Sequence, residues 1–318
     1  MKLSSTQITL LVLALAIALC PIFFPSGYYF RVGALIFVNG LAVTGIVILT
    51  GYAGQISLGH AGFAGIGAYA CALAPLHWGI PPVLAVVLGA LVSAVIAYLV
   101  GRPILRLKGY YLGVATLGFG ILVSMVLSNE RELTGGPDGI RVPELGLRDV
   151  LESWGLDLTG GQFWYALSGI VLFLGAWMAL NLRNSPTGRA LRALHGSEVA
   201  ASTVGIDVAR YKLQAFVISA VYASVAGSLL ALQNRLATPD IAGFMHSIEF
   251  VTMAVLGGVG SVMGAILGAA ILTLLPQVLT AAAEYQQLVL GLVMVLVMIL
   301  MREGLLPSIL RRVRRAGS

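Results

Sequence analysis

The chain has 318 residues, 58% of them hydrophobic and 10% charged, with a mean hydropathy of +0.95. Ordinary soluble domains carry about 25% charged residues, so this composition, with its apolar runs near 20 residues, excludes a soluble domain and describes an all-α polytopic membrane bundle. The formal net charge of +6 is no nucleic-acid signal, because the positives gather at the ends of apolar runs and in the tail, as the positive-inside bias predicts.

In chain order, the apolar runs predict spans at about 8–25 and 32–50, a Gly-rich segment at 51–75, and spans at about 83–100, 110–128, 163–182 and 213–233. Further apolar regions follow at about 248–275 and 285–301. The first run has one Lys before it and no small-x-small cleavage site, so it reads as an uncleaved span rather than a signal peptide. Cys20 and Cys71 both lie in apolar segments and read as small core residues, not a disulfide. His60, His77, His195 and His246 show no metal-ligand spacing with each other or with Cys.

Charge orients the spans. Arg102, Arg106 and Lys108 mark one cytoplasmic turn, and Arg183, Arg189, Arg192, Arg210 and Lys212 mark another. The tail 302–318 holds Arg302, Arg311, Arg312, Arg314 and Arg315. The loop 129–162 instead carries seven acids against three Arg, compatible with the outer face. Parity then becomes a constraint. With both termini cytoplasmic, 51–75 must cross once, and 248–275 must enter and return. The break falls at Gly257-Gly258-Val259-Gly260-Ser261, leaving arms of about 12–15 residues, too short to span at ~1.5 Å per residue. The expected whole is one membrane domain over 1–318: seven crossings, a hairpin of two half-helices and a last span, about 8–10 membrane segments in all.

The stretch Asn184–Lys212 is too structured for a plain connector. Ser185 and Ser197 are in place to cap two short helices, Pro186 suits a first turn, and Gly196 and Gly205 are in place to end them. Among the charges lie Ala190, Leu191, Leu194, Val199, Ala200, Ala201 and Val204. This predicts a docking knob for a cytoplasmic partner; the alternative is an amphipathic helix pair lying on the membrane interface.

Two broken Gly-rich segments, 51–67 and 257–268, occur one per half of the chain, the best sequence pointer to a translocation path. Unwound backbone in a membrane must be buried in protein or line a wet cavity. The first places Gln55, Ser57 and His60 among glycines. In the second, Gly257, Gly258 and Gly260 form the break, and Gly260, Gly264 and Gly268 give small-xxx-small spacings for close helix approach. Packing alone is an equal reading of these glycines. Glu249, at the outer end of the hairpin, is a path residue or an interfacial one. The three lysines, Lys2, Lys108 and Lys212, never follow a Gly, so there is no P-loop. There is also no charged relay within the spans, no nucleophile elbow and no dinucleotide fingerprint. Energy for active transport has to enter from a partner, and the knob is where it can enter.

Three stretches carry a family resemblance: GYAGQISLGHAGFAGIGAY at 51–69, GRALRALHGSEVAASTVGIDVARYKLQAFVISA at 188–220 and SIEFVTMAVLGGVGSVMGAILGAA at 247–270. TGGPDGI at 134–140 also fits the outer loop of that family. The chain resembles the M-type permease of bacterial ATP-binding cassette importers for branched-chain amino acids, over roughly residues 35–300. The resemblance implies an importer fold of the cobalamin type in the inner membrane. It also implies a paralogous permease as heterodimer partner, two cytoplasmic ATPases that hold the ATP and Mg, and a periplasmic binding protein. No cofactor on this chain and no enzyme activity of its own are implied. The coupling loop would be Thr187 to Ile206, with Thr187, Gly188, Arg189, Arg192, Glu198, Ala200, Ala201, Gly205 and Ile206 as its contact residues. His195-Gly196 departs from the family's usual basic-acidic pair. Relatives of this kind also serve urea, short amides and other amino acids. Rival readings are a self-sufficient carrier or channel, and a scaffold without a path.

Overall fold

The computed structural model describes residues 5–148, 152, 155 and 157–278, together with 288, 291, 292, 295, 304, 305 and 308. Apart from those few positions, the span expected at 285–301 and the basic tail lie outside the described residues. Among these residues, six helices are long and apolar enough to cross a membrane, counting the helical turns that extend two of them. They are α1 (Ser5–Leu19, continued as a 3-10 turn over Cys20–Phe23), α2 (Gly27–Ile46, continued as a π-helical turn over Val47–Tyr52), α4 (Pro82–Ile104), α5 (Tyr110–Asn129), α6 (Gly160–Asn184) and α9 (Val208–Asn234). Between α2 and α4 runs α3 (His60–Trp78), of 19 residues. It is too rich in Gly to qualify by composition, yet about 28 Å long at 1.5 Å per residue. The crossing that parity demands within 51–75 would fall on this helix, which starts only at His60 because the chain over 54–59 is not helical.

Two short helices, α7 (Pro186–Gly196) and α8 (Glu198–Thr203), fill the connection between α6 and α9. The hairpin expected at 248–275 is α10 (Phe244–Gly257) and α11 (Val262–Val278). At about 21 and 25 Å both fall short of the ~30 Å hydrocarbon core. A two-residue antiparallel ladder, β1 (Ile140–Arg141) with β2 (Leu236–Ala237), ties the 129–162 loop to the segment after α9. Arg235 pairs with Glu144 beside it at 2.6 Å.

The helices sort into a core and a rim. In α2 and α9, 78% and 72% of the apolar window is buried within the chain, against 6% in α1 and 22% in α4. A helix apolar all round belongs either in a core or against lipid; α2 takes the first place and α4 the second. α9 packs chiefly on α3 and α4, and α2 on α6, α11 and α9. Cys71 is buried in α3, but Cys20 is exposed. The reading of both cysteines as core therefore holds for Cys71 alone, because α1 packs almost only against α6 and leaves its far end uncovered.

The two ends of the bundle differ in charge. Arg102, Arg106 and Lys108 meet Arg210 and Lys212 around one cavity, the basic end. The β-ladder, Arg31 bound to Asn234 at 3.3 Å, and Tyr28 bound to Gln277 mark the other, acidic end. The loops that parity assigns to one face therefore do share one end.

Candidate functional site

At the basic end, Pro186 occupies the first turn of α7, and the Ser185 hydroxyl accepts the Gly188 N–H at 3.1 Å. Ser197 Oγ accepts the Ala200 N–H at 3.2 Å to start α8, and Gly205 leaves it at φ +84°. Asp207 caps α9 through the Arg210 N–H at 3.1 Å. Ser185, Ser197 and Gly205 sit where the sequence reading places them, whereas Gly196 is the last helical residue of α7 and the chain leaves the helix at Ser197.

The apolar residues of this knob divide into two sets. Ala190, Leu191, Leu194 and Ala201 are buried, while Val199 and Val204 are 72% and 75% exposed and Ala200 is exposed too. The first set anchors the knob to the bundle. Each buried Leu contributes about 1.5–3 kcal/mol, more than the ion pair that staples α8 to α9. That pair joins Glu198 to Lys212, whose side chain is 6% exposed while Glu198 remains over a third exposed. The bundle covers the apolar side of α7, so the apolar residues the knob leaves outward are those of α8 and its exit, Val199, Ala200 and Val204. The expectation that all seven apolar residues formed one partner-facing surface is corrected: the outward face is Arg189, Arg192, His195, Val199, Ala200 and Val204, all exposed. Gly188 serves the fold, since a Cβ there would lie 2.0 Å from the Leu182 carbonyl oxygen. Thr187 and Ile206 are half-buried at its edges.

The first Gly-rich segment lies directly beneath the knob. The π-helical turn at Val47–Tyr52 shifts the backbone register at the end of α2, a device frequent at functional sites. It delivers Gly51 against the hairpin turn, where a Cβ would stand 2.0 Å from the Val259 carbonyl oxygen. Three residues on, Gly54 has φ +67° and would set a Cβ 3.3 Å from His195 Cα in α7. Thr50 Oγ1 donates to the Gln55 carbonyl at 2.9 Å and holds this bend closed. One short segment thus touches both the knob and the hairpin.

Gln55, Ser57 and His60 follow, each buried. Ser219 Oγ donates to the Gly45 carbonyl at 2.7 Å and lies 2.6 Å from His60 Nε2. A hydroxyl has one proton, so the network assigns the His60 proton to Nε2, which donates to Ser219, and leaves Nδ1 an acceptor. His60 Nδ1, both Gln55 amide atoms and the Tyr52 hydroxyl have no hydrogen-bond partner among the described residues.

In the hairpin, Gly257 and Gly264 face each other. A Cβ on the first would stand 1.8 Å from the Gly264 oxygen, and one on the second 2.4 Å from the Gly257 oxygen. Gly268 abuts the Met253 carbonyl in the same antiparallel register. Gly258 turns the chain at φ +109°, and Gly304 packs on it. Gly260 is exposed with open space around it.

Glu249 does not join this group. It sits in α10 eight residues before Gly257, about 12 Å along the helix, half exposed and 3.2 Å from His246 Nδ1. Sequence reasoning missed Ser219, Tyr52 and Lys212 as partners here. Polar residues inside the apolar runs were the available signal for the first two, and a lysine four residues into α9 for the third.

A family model described as "Branched-chain amino acid transport system / permease component" matches residues 28–298. The high-affinity branched-chain amino acid transport system permease protein LivM of Salmonella typhimurium is 36% identical over 281 residues, covering 83% of this chain and 66% of that protein. LivM of Escherichia coli K12 is 35% identical over the same shares. The permease protein LivH of Salmonella typhimurium is 31% identical over 84% of this chain and 90% of its own length. The chain spans about two thirds (66%) of the length of the two LivM relatives. No solved structure matches.

Proposed function

As the chain belongs to the family of branched-chain amino acid transport permeases, we propose that it is the membrane permease of an ATP-binding cassette importer for leucine, isoleucine and valine. It sits in the bacterial inner membrane with its basic end and both termini in the cytoplasm, and its fold is of the cobalamin-importer type. A paralogous permease pairs with it, and a periplasmic binding protein delivers substrate to the acidic end. Two ATPases, which hold ATP and Mg, dock on the outward face of α7 and α8.

The observation that carries this reading is the contact of Gly51 with Val259 and of Gly54 with His195. A load on the knob reaches the hairpin through the five residues from Gly51 to Gln55, without crossing the bundle. Rotation of α7 displaces Gly54, and Gly51 then shifts the turn at Gly258–Ser261. The buried Leu191 and Leu194 make α7 move as one body with its support. Gln55, Ser57 and His60 lie next along the chain and supply buried polar groups beside this segment.

Reconstitution with co-purified subunits tests this. Uptake of labelled leucine that needs ATP inside and binding protein outside is the expected result. Uptake by the chain alone under an ion gradient would contradict it. Preference for urea or a short amide over leucine would keep the machine and replace the substrate.

A further inference from the structure

The cavity at the basic end borders the knob but not its outward face. Its volume is about 1300 Å³, and none of Arg189, Arg192, Val199, Ala200 or Val204 lines it. Its walls are the end of α4, the turn that follows, the start of α9, Leu182 of α6 and, from the knob, Thr187 and Glu198. That volume exceeds the ~300–1,000 Å³ of usual small-molecule sites.

Its charge is unbalanced. Lys212 is neutralised by Glu198, and the Asp207 carboxylate is engaged as a helix cap. Arg102, Arg106 and Lys108 form no ion pair among the described residues. Arg102 is held in place, its guanidinium 4.4 Å over the Tyr98 ring and bonded to the hydroxyl of that tyrosine.

An apolar track leads into this cluster. Leu84, Val87, Leu91 and Val95 recur every three or four residues along α4, and each is more than half exposed. Tyr98 and Arg102 continue the same stripe at the same spacing, and residues so spaced share one helix face; Arg106 and Lys108 follow in the turn just beyond the helix end. The stripe therefore runs from acyl-chain depth to a cationic mouth, the two chemistries of one amphiphile in order.

We infer that this cavity binds an anionic phospholipid, its phosphate among Arg102, Arg106 and Lys108 and its acyl chains along Leu91 and Val95. Basic pockets between helices on the cytoplasmic side bind acidic headgroups. The assignment of the leaflet rests on the orientation proposed above; the site itself does not. The lipid would brace α4 against α9 one turn from the Glu198–Lys212 staple.

The test is native mass spectrometry of the full chain, with whatever subunits co-purify, taken from vesicles of equal parts phosphatidylglycerol and phosphatidylcholine. Each basic side chain near an anionic leaflet contributes about fivefold in affinity. The combined R102Q, R106Q and K108Q variant should therefore bind phosphatidylglycerol about a hundredfold more weakly. R131Q, R141Q and R148Q at the acidic end remove the same charge and should change nothing. In the parent, high salt should strip phosphatidylglycerol and spare phosphatidylcholine, a readout that needs no variant to fold. Equal retention by the two variants would overturn the proposal. So would displacement by soluble glycerophosphoglycerol at matched concentration, which marks a free-phosphate site, or loss of the lipid whenever an ATPase is bound, which marks a protein interface. Because the readout is bound lipid and not uptake, failure of the transport reading leaves the outcome intact.

Discussion

The two Gly-rich segments look alike in sequence and do opposite things in the fold. In the hairpin, Gly257, Gly264 and Gly268 close on the hairpin's own opposite arm. In the first segment and α3 the close contacts go outward: Gly51 to the hairpin turn, Gly54 to α7, Gly59 to the Thr116 carbonyl in α5, and Gly67 to the Ser224 carbonyl in α9. One segment is a clip and the other a junction. Small residues let backbones approach in both cases, but only the junction joins separate elements of the bundle.

Substitutions separate the two roles. The largest loss of stability is expected for Gly264→Leu, because the opposing atom is a backbone carbonyl that cannot swing away. Overpacking of a tight site costs about 1–3 kcal/mol, and a clash with backbone lies at or above the top of that range. Thermal melting in detergent should fall sharply, with no uptake. Gly51→Val also meets a carbonyl, but one at the hairpin turn, which can retreat. It should melt within a few degrees of the parent while ATP hydrolysis persists and uptake stops. Parent-like uptake would reduce this contact to packing.

Glu198→Gln comes next. Breaking a buried ion pair costs about 3–5 kcal/mol, and the exposure of Glu198 brings the loss below that. Adding Lys212→Met should recover most of the melting temperature. A double variant no better than the single one would show that the pair does not carry the effect. Arg192→Glu should leave melting unchanged, as exposed substitutions usually stay within about 0.5 kcal/mol, yet abolish substrate-stimulated ATP hydrolysis. Gly260→Ala, in open space, should be silent in every assay.

Much of this was legible in the sequence, for identifiable reasons. Ser185, Ser197 and Gly205 act locally, so capping chemistry read from neighbours carried over to the structure. The hairpin was legible through charge parity, although neither arm announces itself, and parity also recovered α3, whose glycines dilute its apolar signal. What stayed hidden were partnerships across long sequence distance. Spacing shows that Gly51 permits close approach but not that Val259 is what approaches. It likewise cannot divide Leu191 from Val199, which are equally apolar and lie on opposite sides of the knob. For Glu249 the sequence leaves path and interface open, since an acid in an apolar run suits either; half exposed beside His246, it sits eight residues from the hairpin break.

In the proposed function, movement of the knob passes through Gly51–Gln55 to the hairpin turn. The most direct measurement is the mobility of a spin label at Gly260→Cys, an exposed and uncrowded position, in the assembled transporter with and without nucleotide. The label should change mobility when the ATPases bind ATP, and that response should vanish in Arg192→Glu. An unchanged spectrum in every nucleotide state of a complex that still transports would contradict the account.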